Sequence, residues 1–125
     1  MLLIEQLFVK SDTGDSSLIE PALGYTEKVS IKTITLDEYV KRKNIEKIKL
    51  FKLEAEGSEP EVIEGAKNSL PKIKFIAVDG GPERGLKEET TIEYVSNFLL
   101  KNDFKVISFK TDGTTIKGLF KNTKI

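Results

Sequence analysis

The sequence predicts an α/β protein with a mixed sheet. Apolar segments of strand length alternate with segments whose apolar residues recur at helical spacing, as in strands connected by helices. Near the C-terminus, two alternating segments flank Asp112-Gly113, which is typical of an antiparallel hairpin. The 125 residues, 38% of them hydrophobic, suffice for one core. We therefore expect one domain over residues 1–125, with one antiparallel strand in an otherwise parallel sheet and right-handed crossovers.

The first third of the chain predicts two strands, a loop and a short helix. Residues 2–9 are apolar and predict a strand, whereas residues 11–27 are polar, interrupted by glycine and proline, and predict a long loop. Residues 29–33 alternate in polarity, as a half-exposed strand does. Thr35 and Glu38 have the spacing of a capping box, which predicts that a short helix begins there.

The remainder predicts two further strand–helix units before the hairpin. Residues 48–53 form a strand, and Ser58 with Glu61 has the spacing of a capping box for a helix over residues 59–69, which ends before Pro71. Residues 73–78 form the next strand, and a glycine-rich loop follows. Thr90 with Glu93 predicts a cap for the last helix. The hairpin strands are residues 104–109 and 115–120.

Composition excludes several classes of function. Twenty basic and twenty acidic residues cancel, so no overall field attracts nucleic acid or an anionic membrane. The chain has no Cys and no His, which excludes disulfides, a zinc site of thiolates and imidazoles, and a catalytic triad that uses histidine. The N-terminal segment is apolar but interrupted by Glu5 and Gln6, unlike a signal peptide or a membrane span. We therefore expect a cytoplasmic protein.

Carboxylates stand where two predicted strands end. Glu54 and Glu56 follow the strand over residues 48–53, and Asp79 follows the strand over residues 73–78. In open α/β sheets the ends of strands that lead into helices bind ligands, so these three residues are candidate catalytic groups that orient a hydroxyl or accept its proton. Two structural alternatives stay open: the glutamates complement the positive end of the following helix, and Asp79 forms a turn before Gly80.

Two further residues are candidates for substrate binding. Gly57 lies in the strand-to-helix turn, where it allows a tight bend and also allows a ligand to approach the backbone. Arg84 lies in the glycine-rich loop, where its guanidinium could pair with a substrate carboxylate or phosphate. Asp37, Glu59 and Glu61 are interpreted as structural, because acids in the first turn of a helix are already explained by the helix dipole.

Three segments in this order resemble the FkbM family of S-adenosylmethionine-dependent methyltransferases. They lie at residues 33–39, 52–66 and 76–83 and read TITLDEY, KLEAEGSEPEVIEGA and IAVDGGPE. The resemblance covers residues 29–109. In two places the chain departs from the family pattern, because Glu54 stands where the family usually has aspartate, and no histidine follows Asp79-Gly80-Gly81.

The resemblance implies the C-terminal half of a Rossmann-like methyltransferase sheet, mostly parallel, with a terminal hairpin and with helices packed on it. The family's glycine-rich turn for S-adenosylmethionine belongs to a preceding half, which this sequence does not contain. The implied reaction of a full-length parent is O-methylation of a small-molecule or sugar hydroxyl, with this chain inactive alone. Two alternatives stay open: a non-catalytic module that binds a partner or a second copy through an open sheet edge, and a magnesium-dependent hydrolase that uses Glu54, Glu56 and Asp79.

Overall fold

A computed structural model describes residues 3–125, which form strands, α-helices and one 3-10 turn in alternation. The elements in chain order are β1 Leu3–Val9, β2 Glu27–Thr33, α1 Leu36–Arg42, β3 Ile48–Leu53, α2 Glu59–Glu64, a 3-10 turn at Leu70–Lys72, β4 Ile73–Gly80, β5 Pro82–Arg84, β6 Glu89–Thr90, α3 Ile92–Lys101, β7 Phe104–Thr111 and β8 Ile116–Asn122. The predicted α/β class is confirmed. The predicted first strand is confirmed from Leu3 onwards, and its first residue, Leu2, lies outside the described residues.

The main sheet has four strands in the order β3-β4-β8-β7. β3 and β4 are parallel, with Leu50 opposite Phe75, whereas β8 is antiparallel to both of its neighbours, β4 and β7. Three strands therefore run in one direction and β8 runs in the other. This arrangement is the mixed sheet that the sequence predicts, and it leaves β3 and β7 at the two edges.

β1 and β2 lie outside the main sheet. They form a separate antiparallel pair with Leu7 opposite Val29, and β5 pairs with β6 in a third, very short sheet. The predicted crossover from β2 through α1 to β3 is therefore wrong. A parallel strand needs apolar residues on both faces, and β2 alternates between exposed and partly buried residues, which suits a two-stranded antiparallel ribbon.

The core lies between one face of the main sheet and the helices α2 and α3. Ile76 of β4 and Phe120 of β8 are fully buried together with Ile63 of α2 and Leu99 of α3. Because successive strand residues point to opposite faces, Ile76 and Val78 of β4 contribute to this cluster together with Phe120 of β8, whereas Ala77 and Leu119 lie on the other face. The edge of Phe109 in β7 packs against the ring of Phe120, with their centroids 5.8 Å apart.

The helices begin and end differently from the prediction in two places. The cap at Thr35 is confirmed, since its hydroxyl accepts the Glu38 N–H at 3.1 Å. Ser58 makes no capping bond, because its Oγ is buried without a partner among residues 3–125, so the predicted box with Glu61 is wrong. α2 also ends at Glu64 rather than Ser69, and turns lead from there to the 3-10 turn. None of the helices in residues 3–125 has the length and apolar character needed to cross a bilayer.

The start of α3 is displaced by one residue from the predicted cap. The helix begins at Ile92 with Thr91 as its N-cap, and the Thr90 hydroxyl instead donates to the Glu93 carboxylate. The Thr91 hydroxyl is directed into the core. A threonine hydroxyl at the start of a helix bonds to whichever acceptor lies near it in the folded chain. The spacing in the sequence therefore does not determine whether Thr90 or Thr91 is the N-cap.

The predicted hairpin is confirmed, but its turn is stabilised by hydrogen bonds to the side chain of Asp112. Gly113 has a φ of +97°, which favours glycine, but Asp112 does not share this conformation. Asp112 Oδ1 instead accepts the N–H groups of Thr114 and Thr115, both at 2.9 Å. These bonds hold the pKa of the Asp112 carboxyl well below its usual range.

Candidate functional site

The turn between β3 and α2 is organised around one buried carboxylate. Glu59 is fully buried, and Oε1 of its side chain accepts the Ala55 N–H at 2.7 Å while Oε2 accepts the Gly57 N–H at 3.1 Å. Thr91 Oγ1 donates to the same carboxylate. Glu56 and Gly57 both have positive φ, at 47° and 98°, so the backbone bends sharply here. Glu59 is thus structural, as predicted, but it stabilises the turn through direct hydrogen bonds.

A second chain segment lies directly against this turn. A Cβ added to Gly57 would lie 2.8 Å from Arg84 Cα and 3.0 Å from the Glu83 carbonyl oxygen, so only glycine permits the contact. Arg84 Nη1 donates to the Gly57 carbonyl at 2.7 Å, and both terminal nitrogens donate to the Glu61 carboxylate. The loop after β4 is therefore clamped onto the loop after β3.

A cavity of about 350 Å³ lies beside this clamp. The residues after β3, the residues after β4 and the loop between β1 and β2 all contribute to its lining. Its charged lining residues are Lys10, Asp15, Glu54, Glu56, Glu83 and Glu88. Ser17 Oγ donates a 2.6 Å hydrogen bond to the Glu56 carbonyl, which attaches the β1–β2 loop to the site. Part of the predicted long polar loop is thus an ordered wall of the cavity.

The clustered carboxylates shift one another's protonation. Burial and then the charges of neighbouring acids, Glu56 first, raise the pKa of Glu83 to about 7. Burial and then Asp15 and Glu54 raise the pKa of Glu56 as well. The Glu54 carboxylate pairs with Lys52 Nζ at 2.8 Å. The cavity thus holds at least one carboxyl group that exchanges a proton near neutral pH.

Residues 5–106 match the sequence profile of the methyltransferase FkbM domain. The chain belongs to the FkbM methyltransferase domain family. The predicted resemblance is confirmed, and the match begins well before residue 29, so β1 and the loop that lines the cavity are part of the domain. No curated protein and no solved structure gives a significant match to the chain.

In this FkbM domain, the structure brings together two of the three predicted catalytic residues. Glu54 and Glu56 line the cavity, whereas Asp79 does not. Asp79 lies on the sheet face away from the core, where its carboxylate is 3.8 Å from Lys117 Nζ, and it lines a separate depression. Asp79 therefore does not line the cavity with Glu54 and Glu56, because successive residues of β4 alternate in direction and Asp79 lies on the face away from the core.

Glu83 lines the cavity with Glu54 and Glu56, although the sequence did not predict it as a candidate residue. It lies four positions after Asp79, in the segment that carried the resemblance, and the bend at Gly81-Pro82 brings it to the cavity. No local pattern marks it, because its position depends on the contact between Gly57 and Arg84. Within residues 3–125, no group of three or more acidic side chains is arranged to hold a metal ion, so the magnesium hydrolase receives no support.

In this FkbM domain, the glycine after β3 and the glycine at the end of β4, Gly57 and Gly80, do not form a cradle for S-adenosylmethionine. A cofactor cradle needs free backbone N–H groups and open space beside glycine. The Gly57 N–H is used by Glu59, and the space beside its Cα is filled by Arg84. At the end of β4, a Cβ on Gly80 would lie 3.1 Å from Thr91 Oγ1. Gly57 and Gly80 therefore leave no open space for the methyl donor beside their Cα atoms.

Proposed function

We propose that this FkbM domain forms the acceptor side of an O-methyltransferase, which binds a small molecule or sugar through a hydroxyl group. The observation that carries the proposal is the cavity beside Glu56 and Glu83, where a carboxyl group with a pKa of about 7 faces space for a ligand. A group that accepts a proton near the working pH is suited to general base catalysis. Family membership supports methyl transfer as the reaction.

In the proposed mechanism, the Glu83 carboxylate accepts the proton of the acceptor hydroxyl. S-adenosylmethionine held outside these residues would supply the methyl group, and the carbon–sulfur bond of the donor would break as the new carbon–oxygen bond forms. Glu56 is placed to accept a hydrogen bond from a second hydroxyl of the same acceptor, which orients the reacting oxygen. Glu54 is partly neutralised by Lys52 and contributes mainly to shaping the cavity. Gly57 and Arg84 act by holding the two loops together, and the cavity lining does not include Arg84.

We further propose that these 125 residues do not bind S-adenosylmethionine tightly by themselves, because the glycines are committed to internal contacts. Titration calorimetry with S-adenosylmethionine should give no heat of binding at micromolar concentration. A dissociation constant in the micromolar range would overturn this part of the proposal while leaving the acceptor cavity unaffected.

The acceptor cavity is tested by NMR titration with a neutral sugar such as methyl glucoside and, separately, with a simple catechol. Amide shifts should be confined to residues 54–57, 82–88 and the β1–β2 loop, and Glu83→Gln should reduce them. The matched control is Glu46→Gln, at an exposed residue outside this cavity, which should leave the shifts unchanged. Failure of both probes to shift these amides, or equal loss in the control, would refute the acceptor site.

A second function is favoured by the position of β3 at the edge of the main sheet. The backbone of its outer side has no strand partner among residues 3–125, and unpaired strand edges recruit other strands. The alternative is therefore self-association through β3. Light scattering after size exclusion distinguishes the two, since a discrete dimer that Leu50→Pro converts to a monomer would support pairing through this edge. A wild-type monomer at high concentration would exclude it.

A further inference from the structure

The face of the main sheet opposite the core is open. Two rows of apolar residues cross it: Leu50 beside Phe75, and Ala77 beside Leu119. Leu50 is 56% exposed and the other three are partly exposed. Sheets that contain parallel strands are normally covered on both faces, so these rows lack the cover that their strand arrangement requires within the described residues.

Lysines surround these apolar rows. Lys121 lies between Phe75 and Lys105 in the pairing register, and Lys117 lies between Asp79 and Lys110. With Lys52 opposite Ala77, five lysines share the face. Lys52 Nζ pairs with the Glu54 carboxylate at 2.8 Å, and Lys117 Nζ lies 3.8 Å from the Asp79 carboxylate. Five carboxylates and one lysine line the cavity, whereas five lysines and Asp79 lie in the rows of the open face, so the balance of charge differs between the two places.

We infer that this face binds an acidic amphipathic helix of a partner protein. A helix that packs on a sheet buries one apolar stripe, which fits the apolar rows that contain Ala77 and Leu119. Carboxylates on either side of that stripe would then contact the lysines of the face. A depression of about 340 Å³, bordered by Lys52, Lys110, Lys117 and Asp79, lies beside the apolar Ala77 and Leu119 and gives those carboxylates room. A second copy does not fit, because two such faces would place lysines against lysines.

The face is less suited to nucleic acid. Phosphates would pair with the lysines, but the exposed Leu50 and the partly exposed Leu119 would gain nothing from a sugar–phosphate backbone. Base stacking needs an accessible aromatic ring. Phe75 is partly buried, and Lys74 Nζ lies over its ring, 5.7 Å from the centroid. The apolar centre together with the cationic rim therefore favours a helix.

The test uses a fluorescent synthetic peptide of about five helical turns, with leucines on one stripe and glutamates on the opposite face. Fluorescence anisotropy should show binding that weakens with salt. The double variant Lys110→Glu/Lys121→Glu should weaken it by about tenfold or more. Leu119→Asn should also weaken peptide binding, because the leucine stripe of the peptide would pack against Leu119. Circular dichroism melting establishes that each variant is folded.

The matched control is Lys43→Glu/Lys67→Glu, which makes the same change in net charge at exposed lysines outside the sheet. This control should change peptide affinity by no more than about twofold. A peptide of the same composition with scrambled periodicity should bind much more weakly. Equal binding of the scrambled peptide, equal weakening by the control, or tighter binding of a single-stranded DNA oligonucleotide would each overturn the inference.

Discussion

Thr91 Oγ1 donates a 2.9 Å hydrogen bond to Glu59 Oε2 inside the core and so joins the first residue of α2 to the N-cap of α3. The same carboxylate accepts the backbone N–H groups of Ala55 and Gly57. A buried carboxylate is tolerated when its oxygens are satisfied in this way. The Glu59 side chain thus holds the turn after β3 and the starts of α2 and α3 in place. Through Gly57, which contacts Arg84, it also supports the loop that carries Glu83.

Replacing Glu59 with alanine should lower the free energy of unfolding by roughly 3 kcal/mol or more, because each buried donor left without a partner costs about 1–3 kcal/mol. Denaturant unfolding monitored by circular dichroism measures the loss. Glu46→Ala is the control, because Glu46 is exposed and should change stability by less than about 0.5 kcal/mol. Similar values for the two variants would contradict the proposed part of Glu59 in the fold.

Gly57→Ala should destabilise the protein more than Gly14→Ala. Both glycines have positive φ, at 98° and 79°, so both substitutions incur a backbone strain of about 1–2 kcal/mol. Only at Gly57 does the new Cβ collide with backbone, since nothing lies within 4 Å of the equivalent position at Gly14. The collision should add roughly 1–3 kcal/mol. Equal urea midpoints for Gly57→Ala and Gly14→Ala would contradict this prediction, because they would show that the backbone at Arg84 moves away from the new Cβ without loss of stability.

Stability should fall as the pH rises through the titration of Glu83. Its folded-state pKa of about 7 lies above its ordinary value of 4.5, so between these values the folded state holds the extra proton. This contribution is fully present below pH 4.5 and is lost as the pH rises through about 7. Glu83→Gln should therefore match the wild type at pH 4 and exceed its melting temperature at pH 8.

The cause of the Glu83 shift can be tested separately. Carbon NMR titration of the Glu83 carboxyl should give a pKa near 7 in the wild type, and Glu56→Gln should lower it, because Glu56 is the largest of the charge contributions after burial. A pKa of Glu83 at its ordinary value, or one unchanged by Glu56→Gln, would refute the electrostatic coupling across the cavity.

Asp37→Ala should destabilise the junction between α1 and the segment after α2. The Asp37 carboxylate accepts the N–H groups of Asn68 and Ser69, at 3.0 and 2.7 Å, and the Ser69 hydroxyl at 2.6 Å. Hydrogen bonds to a charged group contribute about 1.5–3 kcal/mol, so a loss of about 2–3 kcal/mol is expected in denaturant unfolding. Asp12→Ala, at an exposed loop residue, should have no comparable effect.

Elements with strong periodicity were predictable, whereas details that depend on a distant neighbour were not. β3 and the terminal hairpin follow from runs and turns that are local in sequence. Ser58 and Glu61 had the correct spacing for a capping box, yet Glu61 is bound by Arg84, which is distant in sequence. Asp37 was explained by the helix dipole, although its carboxylate in fact binds Ser69.

The sequence by itself determined the α/β class, the family and the carboxylates after β3, because hydrophobic period, turn chemistry and motif order are carried by adjacent residues. Only the tertiary structure decided which carboxylates share a cavity. Glu83 lines the cavity because Gly57 and Arg84, which are distant in sequence, approach each other closely. Asp79 lies outside it because β4 packs its other face, with Ile76 and Val78, against the helices. The physical reason is that short-range order follows from local geometry, whereas a site is assembled by contacts whose partners are far apart in the chain.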